Sequence, residues 1–208
     1  MSRRTRLSLA GFSAAAVLAV AAGSAPARHM HISARNTRTI WQGWAFSNTV
    51  NQEIVRCPVT LEGSFPSATI SKTVGVTIGR VSRASVASAS CTSGHATVHS
   101  ETLPWTISYE AFFGRLPNIA HIELLLLGVS FEIESGGTIC SATSEAAHPV
   151  RSMVNLNEAT GEITGLELEG NARIPLTNGF CALAEGAVSG TGTVTQQGTT
   201  LRVTVELI

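Results

Sequence analysis

The side chains in this sequence that could do chemistry are histidines, glutamates and one dense run of aromatics. His95 and His99 stand four residues apart. On a helix that spacing puts two imidazoles on one face, ready to share a metal ion. The residues around them alternate instead, with Ala96 and Val98 of one parity and His95, Thr97, His99 and Glu101 of the other. Alternation predicts a strand, on which the two histidines lie about 13 Å apart and cannot share a metal. His99 and Glu101 lie about 6.6 Å apart along one strand face and form a candidate acid–base pair that needs a third group. Glu132 with Glu134, and Glu167 with Glu169, repeat this spacing, which is close to that of paired glycosidase carboxylates. Like charges at alternate strand positions are otherwise a hydrated face.

The aromatic run lies between Leu103 and Ile119, where Trp105, Tyr109, Phe112 and Phe113 crowd into one segment. It has two readings. Trp105, Tyr109 and Phe113 can present a binding surface, together with His95, His99 and Glu101 nearby. Alternatively the strand closes the core, since Trp105 and Tyr109 share the apolar parity of Leu103 and Ile107.

Several chemistries are excluded. All 14 acidic residues are glutamate. Without aspartate there is no Ser-His-Asp triad and no Asp-rich calcium loop, although glutamate versions survive. Gly186-Ala187-Val188-Ser189-Gly190 misses the nucleophile elbow by one position. No phosphate-binding loop is present, and Gly190-Thr191-Gly192 falls in a strand-like run, where glycine marks a bulge or a close backbone approach. No cofactor and no metal are expected.

The N-terminus has an export pattern. Arg3, Arg4 and Arg6 precede an apolar run from Leu7 to Ala22, and Ala25-Pro26-Ala27 fits a signal-peptidase site before Arg28. The run is shorter than the roughly 20 residues of a spanning helix. Arg3-Arg4 partly matches a twin-arginine signal, but Arg6 stands where an apolar residue is usual, so a plain secretory signal is the simpler reading. Residues 1–27 are therefore read as a signal peptide, 28–39 as a flexible leader, and 40–208 as a single domain. The expected location is secreted or extracytoplasmic, with no stable membrane span after cleavage. Beyond residue 27 there are 11 basic and 14 acidic residues, a slightly acidic balance that disfavours nucleic acid as a partner. The four cysteines, Cys57, Cys91, Cys140 and Cys181, form an even set in an exported chain and predict two disulfides. Of the three possible connectivities, Cys57–Cys91 with Cys140–Cys181 keeps each loop within one half of the chain.

Period-two alternation dominates the rest. Val55, Cys57, Val59 and Leu61 share a face, as do Ile70, Val74, Val76 and Ile78, with Lys72 out of place. Ile122, Leu124 and Leu126 set one parity, and Val129, Phe131 and Ile133 the other, which predicts a bulge at Gly128 or burial on both faces of one central strand. Gln196-Gln197-Gly198 reads as a hairpin turn. Helices are limited to short candidates at Ser144–Ala147 and Tyr109–Gly114. The fold class is all-β, an antiparallel sandwich or barrel with short helical turns at most.

The Leu103–Ile119 segment, the spaced cysteines around it and the ending Val203-Thr204-Val205-Glu206-Leu207-Ile208 resemble a group of small exported proteins of high-GC Gram-positive bacteria that has no assigned activity. The resemblance spans residues 55–208 and rests on no catalytic motif. It implies export and an all-β domain, and no activity. The leading functional expectation is an exported non-catalytic β domain that binds a ligand or an envelope component. A barrel-type carrier of an apolar ligand is the second, suggested by the doubly apolar Ile122–Phe131 run. A hydrolase using Glu and His is the third, for which His99→Ala should abolish turnover.

Overall fold

The computed structural model describes residues 29–48, 54–115, 118–168, 172–177 and 185–208. Residues 1–27, read above as a signal peptide, and Glu169 and Cys181 lie outside the described residues. Within them the chain is strand nearly throughout, as the alternation predicts, and of the two expected architectures it adopts the barrel.

The first described residues correct the flexible leader. His29-Met30-His31-Ile32 is strand β1 (His29–Ile32), with Met30 and Ile32 buried and both histidines exposed. Four residues give only two turns of alternation, too few to stand out in the sequence. β2 (Asn36–Asn48) and β3 (Ile54–Ser64) follow as a long antiparallel pair. β4 (Thr69–Ser71) returns to pair with β1. The strand expected over Ile70–Ile78 is thus two strands, because the chain turns at Gly75 with φ of 75° before β5 (Thr77–Val86). Lys72 and Val74 fall in that turn, which accounts for the broken alternation.

Eight antiparallel strands close the barrel. Around the ring run β2, β3, β5, β7 (Trp105–Arg115), β8 (Asn118–Leu127), β11 (Val150–Leu156), β12 (Ile163–Leu168) and β15 (Thr191–Gln196). β15 then pairs with the first half of β2, from Gly192 opposite Trp41 to Gln196 opposite Thr37, and the ring is complete. Register shifts at Trp41/Trp44, Glu62/Gly63, Thr77/Gly79 and Tyr109/Ala111 provide the bends that closure requires.

The second half of β2 leaves the ring. It pairs with β14 (Glu185–Ser189), which begins a sheet continuing through β13 (Ala172–Thr177), β10 (Thr138–Thr143), β9 (Ser130–Ser135) and β6 (His95–Val98). Thr92 bridges back to Arg56 of β3, so this sheet also curls toward its starting strand. The parity switch near Gly128 marks the point where the chain passes from one body to the other. Gly128 has φ of 82°, which favours glycine, and it separates β8 in the barrel from β9 in the second sheet. The expected single central strand is therefore two strands. The remaining strand, β16 (Val205–Leu207), joins β1 and β4 in a three-stranded sheet, from which Ile32 of β1 reaches the barrel interior.

The helix candidates are also corrected. Tyr109–Gly114 lies within β7, and Ser144–Ala147 belongs to a tight turn closed between Glu145 and His148. Among the described residues the helical pieces are 3₁₀ turns at Ser88–Ser90 and Ser100–Thr102. No described helix is long and apolar enough to cross a membrane.

One aromatic cluster joins barrel and second sheet. Trp44 and Phe46 come from β2, Trp105 from β7 and Phe131 from β9, and all four are buried. Trp41 and Trp44 have opposite parity yet both face inward, because the bulge between them resets the register. The Cys57–Cys91 disulfide forms as expected, fastening β3 to the segment before β6. Cys140 is also disulfide-bonded, while Cys181, its expected partner, lies outside the described residues.

Candidate functional site

The barrel interior holds an apolar cavity of about 90 Å³. Strand alternation explains its walls. β2 contributes Thr37, Thr39 and Trp41; β3 contributes Leu61 and Gly63; β8 contributes Leu124 and Leu126; β11 contributes Ser152 and Val154. Val81, Ile107, Leu166 and Val194 complete the ring from the other strands, so every barrel strand reaches the cavity. Ile32 of β1 and Phe65, just after β3, also line it. An eight-stranded barrel has an interior just wide enough to be filled by side chains or to hold one small ligand. Here small residues leave space that larger ones would occupy.

Trp41 is the distinctive wall residue. Its indole lies flat on Gly192: a Cβ placed there would stand 2.8 Å from Cδ2 of the ring and 3.0 Å from Cε3. This is the close approach that the Gly-Thr-Gly run predicts. Trp41 is 2% exposed, and its Nε1–H has no hydrogen-bond acceptor among the described residues. Trp44 Nε1 shares that deficit, whereas Trp105 Nε1 donates to Thr102 Oγ1 at 2.8 Å.

The residues singled out from the sequence do not converge. Trp105 and Tyr109 are core residues, Phe113 is 45% exposed with its ring tilted against His121, and no continuous aromatic surface results among them. Burial raises the Tyr109 phenol above its ordinary pKa. His95 is exposed at the start of β6, with its Nδ1 3.4 Å from Ser88 Oγ.

His99 and Glu101 do meet, but not as neighbours on a strand. β6 stops at Val98, and Glu101 sits in the 3₁₀ turn that His99 precedes. The turn brings Glu101 Oε1 to 3.9 Å from His99 Nδ1, and the same nitrogen lies 3.1 Å from Ser130 Oγ. A serine triad needs the hydroxyl and the carboxylate on opposite ring nitrogens. Ser130 is moreover buried and bonded onward to Thr143 Oγ1 at 2.8 Å. The geometry fastens the corner after β6 onto β9 and β10. His99→Ala is accordingly expected to cost about 1 kcal/mol of stability through the lost partner of Ser130, read by urea unfolding; an unchanged midpoint would count against this role.

Glu132 and Glu134 share β9, with Glu134 opposite His95 and Glu132 opposite Thr97. Among the described residues no three His, Cys or Glu side chains gather at a metal-sized site. Among the described residues the best-buried carboxylate, Glu123, is ion-paired with Arg151 of the neighbouring β11. The Ile122–Phe131 run that suggests a carrier supplies Leu124 and Leu126 of the wall, whereas Thr37 and Thr39 stand in the segment read from the sequence as a leader. The readable signal was Thr37-x-Thr39-x-Trp41, an alternation that runs straight into the tryptophan.

No family model matches the chain, and no curated protein or solved structure matches it either.

Proposed function

We propose that this is an exported, non-catalytic barrel that carries a small apolar ligand. The observation behind the reading is the cavity, ringed by the eight barrel strands and lined mainly by Leu, Ile, Val, Phe and Trp side chains, with Thr37, Thr39, Gly63 and Ser152 completing the wall. An unfilled space of 90 Å³ costs about 2 kcal/mol relative to a packed interior. A bound apolar molecule offsets that cost. The cavity is smaller than the roughly 300 Å³ at which drug-sized sites begin, so the ligand is small or slender. Export is supported by the pattern of residues 1–27 and by a disulfide compatible with an extracytoplasmic location.

Native mass spectrometry of protein secreted by its own host tests both parts. The expected polypeptide mass begins at Arg28, and the native mass exceeds it by a bound small molecule. A bare native mass, unchanged after incubation with short-chain lipids, would refute the carrier reading. Ser152→Leu provides the control. Ser152 lines the cavity and is buried, so leucine there projects into the space. The variant is expected to lose ligand occupancy at least about tenfold while keeping the wild-type β spectrum, because the leucine occupies space the ligand needs.

A further inference from the structure

We infer that the exposed face of β1 binds a divalent transition-metal ion, copper(II) foremost, through the imidazoles of His29 and His31. The inference is independent of the carrier reading, because it uses the face of β1 opposite the one that carries Ile32.

The strand in place of a leader creates the site. In an irregular leader, His29-Met30-His31 has no defined geometry. As strand β1 it alternates, with Met30 and Ile32 buried and both histidines exposed. The two imidazoles thus leave one face, from Cα atoms about 6.6 Å apart. At that spacing they can turn toward each other, and each can bring a nitrogen to the roughly 2.0–2.1 Å of a metal–imidazole bond.

The face is held in place. β1 is the central strand of its sheet, paired with β4 on one side and β16 on the other. A slip of one residue would expose Met30 and Ile32 and turn the histidines inward, so burial fixes which side chains point out. His29 N–H donates to Ile208 O at 3.2 Å, and His29 C=O accepts from Ile208 N–H at 3.1 Å. Both histidines therefore stand on a hydrogen-bonded ladder, and chelation costs less ordering there than in a loose tail.

The surroundings suit a cation. Glu206 of β16 stands directly opposite His31, while Thr69 and Ser71 of β4 stand opposite His31 and His29. Directly opposed residues have Cβ atoms about 4.5–5.5 Å apart. A carboxylate on one side and two hydroxyls on the other thus border the pair. The site is bidentate and completed by water, since among the described residues no three ligating side chains gather at one point. Imidazole nitrogen selects transition metals over magnesium or calcium, and copper(II) binds such donors tightest among the divalent first-row ions.

Protein beginning at Arg28 and free of a histidine tag is titrated with copper(II), nickel(II) and zinc(II). Protein beginning at Ser24, whose terminal amine lies farther from His29, is titrated alongside. Both are expected to bind one equivalent of copper(II), more tightly than nickel(II) or zinc(II). His29→Gln and His31→Gln should each lose at least about tenfold in affinity while keeping the wild-type β spectrum, because one arm of a chelate is gone. His95→Gln and His148→Gln, at exposed histidines elsewhere, should change it less than about twofold. Copper(II) is paramagnetic, so in wild-type protein it should first broaden the amide resonances of β1 and of the facing Thr69 and Glu206. This second readout needs no variant to fold. The inference is overturned if His29→Gln and His31→Gln bind copper(II) like wild type, if the form beginning at Ser24 does not bind it, or if the broadening centres on another histidine.

Discussion

Phe131→Ala is expected to lower the unfolding free energy by about 3–5 kcal/mol, measured by urea denaturation of the oxidised protein. Phe131 is fully buried, with ring centroids 5.7 Å from Trp44, 4.9 Å from Phe46 and 5.5 Å from Trp105. Those neighbours belong to β2 and β7, whereas Phe131 belongs to β9. Phe131 therefore packs the second sheet both on the half of β2 that leaves the ring and on β7 of the barrel. Its neighbours are rigid aromatics anchored on bulged strands, so they cannot collapse into the space an alanine leaves, and the cost should fall toward the upper part of the range. Phe113→Ala is the matched control. Phe113 is 45% exposed and packs mainly on His121, so its truncation should cost less than about 1 kcal/mol. A loss below about 1.5 kcal/mol for Phe131→Ala would mean that the two bodies are not fastened at this ring.

How much of this was legible depended on the length of each pattern. The period-two alternation of Val55, Cys57, Val59 and Leu61 located β3, because eleven residues outlast chance. The compact Trp41–Phe46 cluster marked buried aromatics, and Trp41, Trp44 and Phe46 are buried. The Cys57–Cys91 pairing was legible from loop length and the even cysteine count. What failed were features set by pairing between distant segments. β1 is a strand because β4 and β16 offer it partners, not because His29-Met30-His31-Ile32 prefers that conformation. The parity switch at Gly128 was visible, but alternation alone does not say whether a switch is a bulge or a departure into another sheet.

The candidate site was less legible for the same reason. A cavity is defined by what faces it across a ring, and eight strands separated by up to about 150 residues supply its wall. Thr37, Ser152 and Val194 carry no local mark of shared purpose. The histidine–glutamate pair illustrates the converse. Its residues are close together in the chain and are brought to 3.9 Å, yet the hydroxyl that meets the same nitrogen comes from Ser130 and is buried. Proximity in sequence identified a contact and not a mechanism.

Replacing both Cys57 and Cys91 with alanine is expected to cost about 4 kcal/mol, the chain-entropy value for a loop of this length, and to act through a different state. The two cysteines are 34 residues apart in sequence. Without the bridge the unfolded chain gains freedom, and its ensemble expands. The m-value of urea unfolding should therefore rise along with the fall in stability, whereas Phe131→Ala acts on native packing and should leave m unchanged. The two variants can thus lose similar free energy and still be told apart. The site of the bridge sharpens the expectation further. It joins β3 to the segment before β6, beside the Arg56–Thr92 contact that draws the second sheet back to its starting strand. The cavity walls come mainly from the barrel strands and include neither cysteine. Ligand occupancy per folded molecule should then survive loss of the bridge under conditions where the variant remains folded. If occupancy falls as well, the second sheet helps hold the barrel in its ligand-binding shape, and the aromatic cluster centred on Phe131 is the contact through which it would do so.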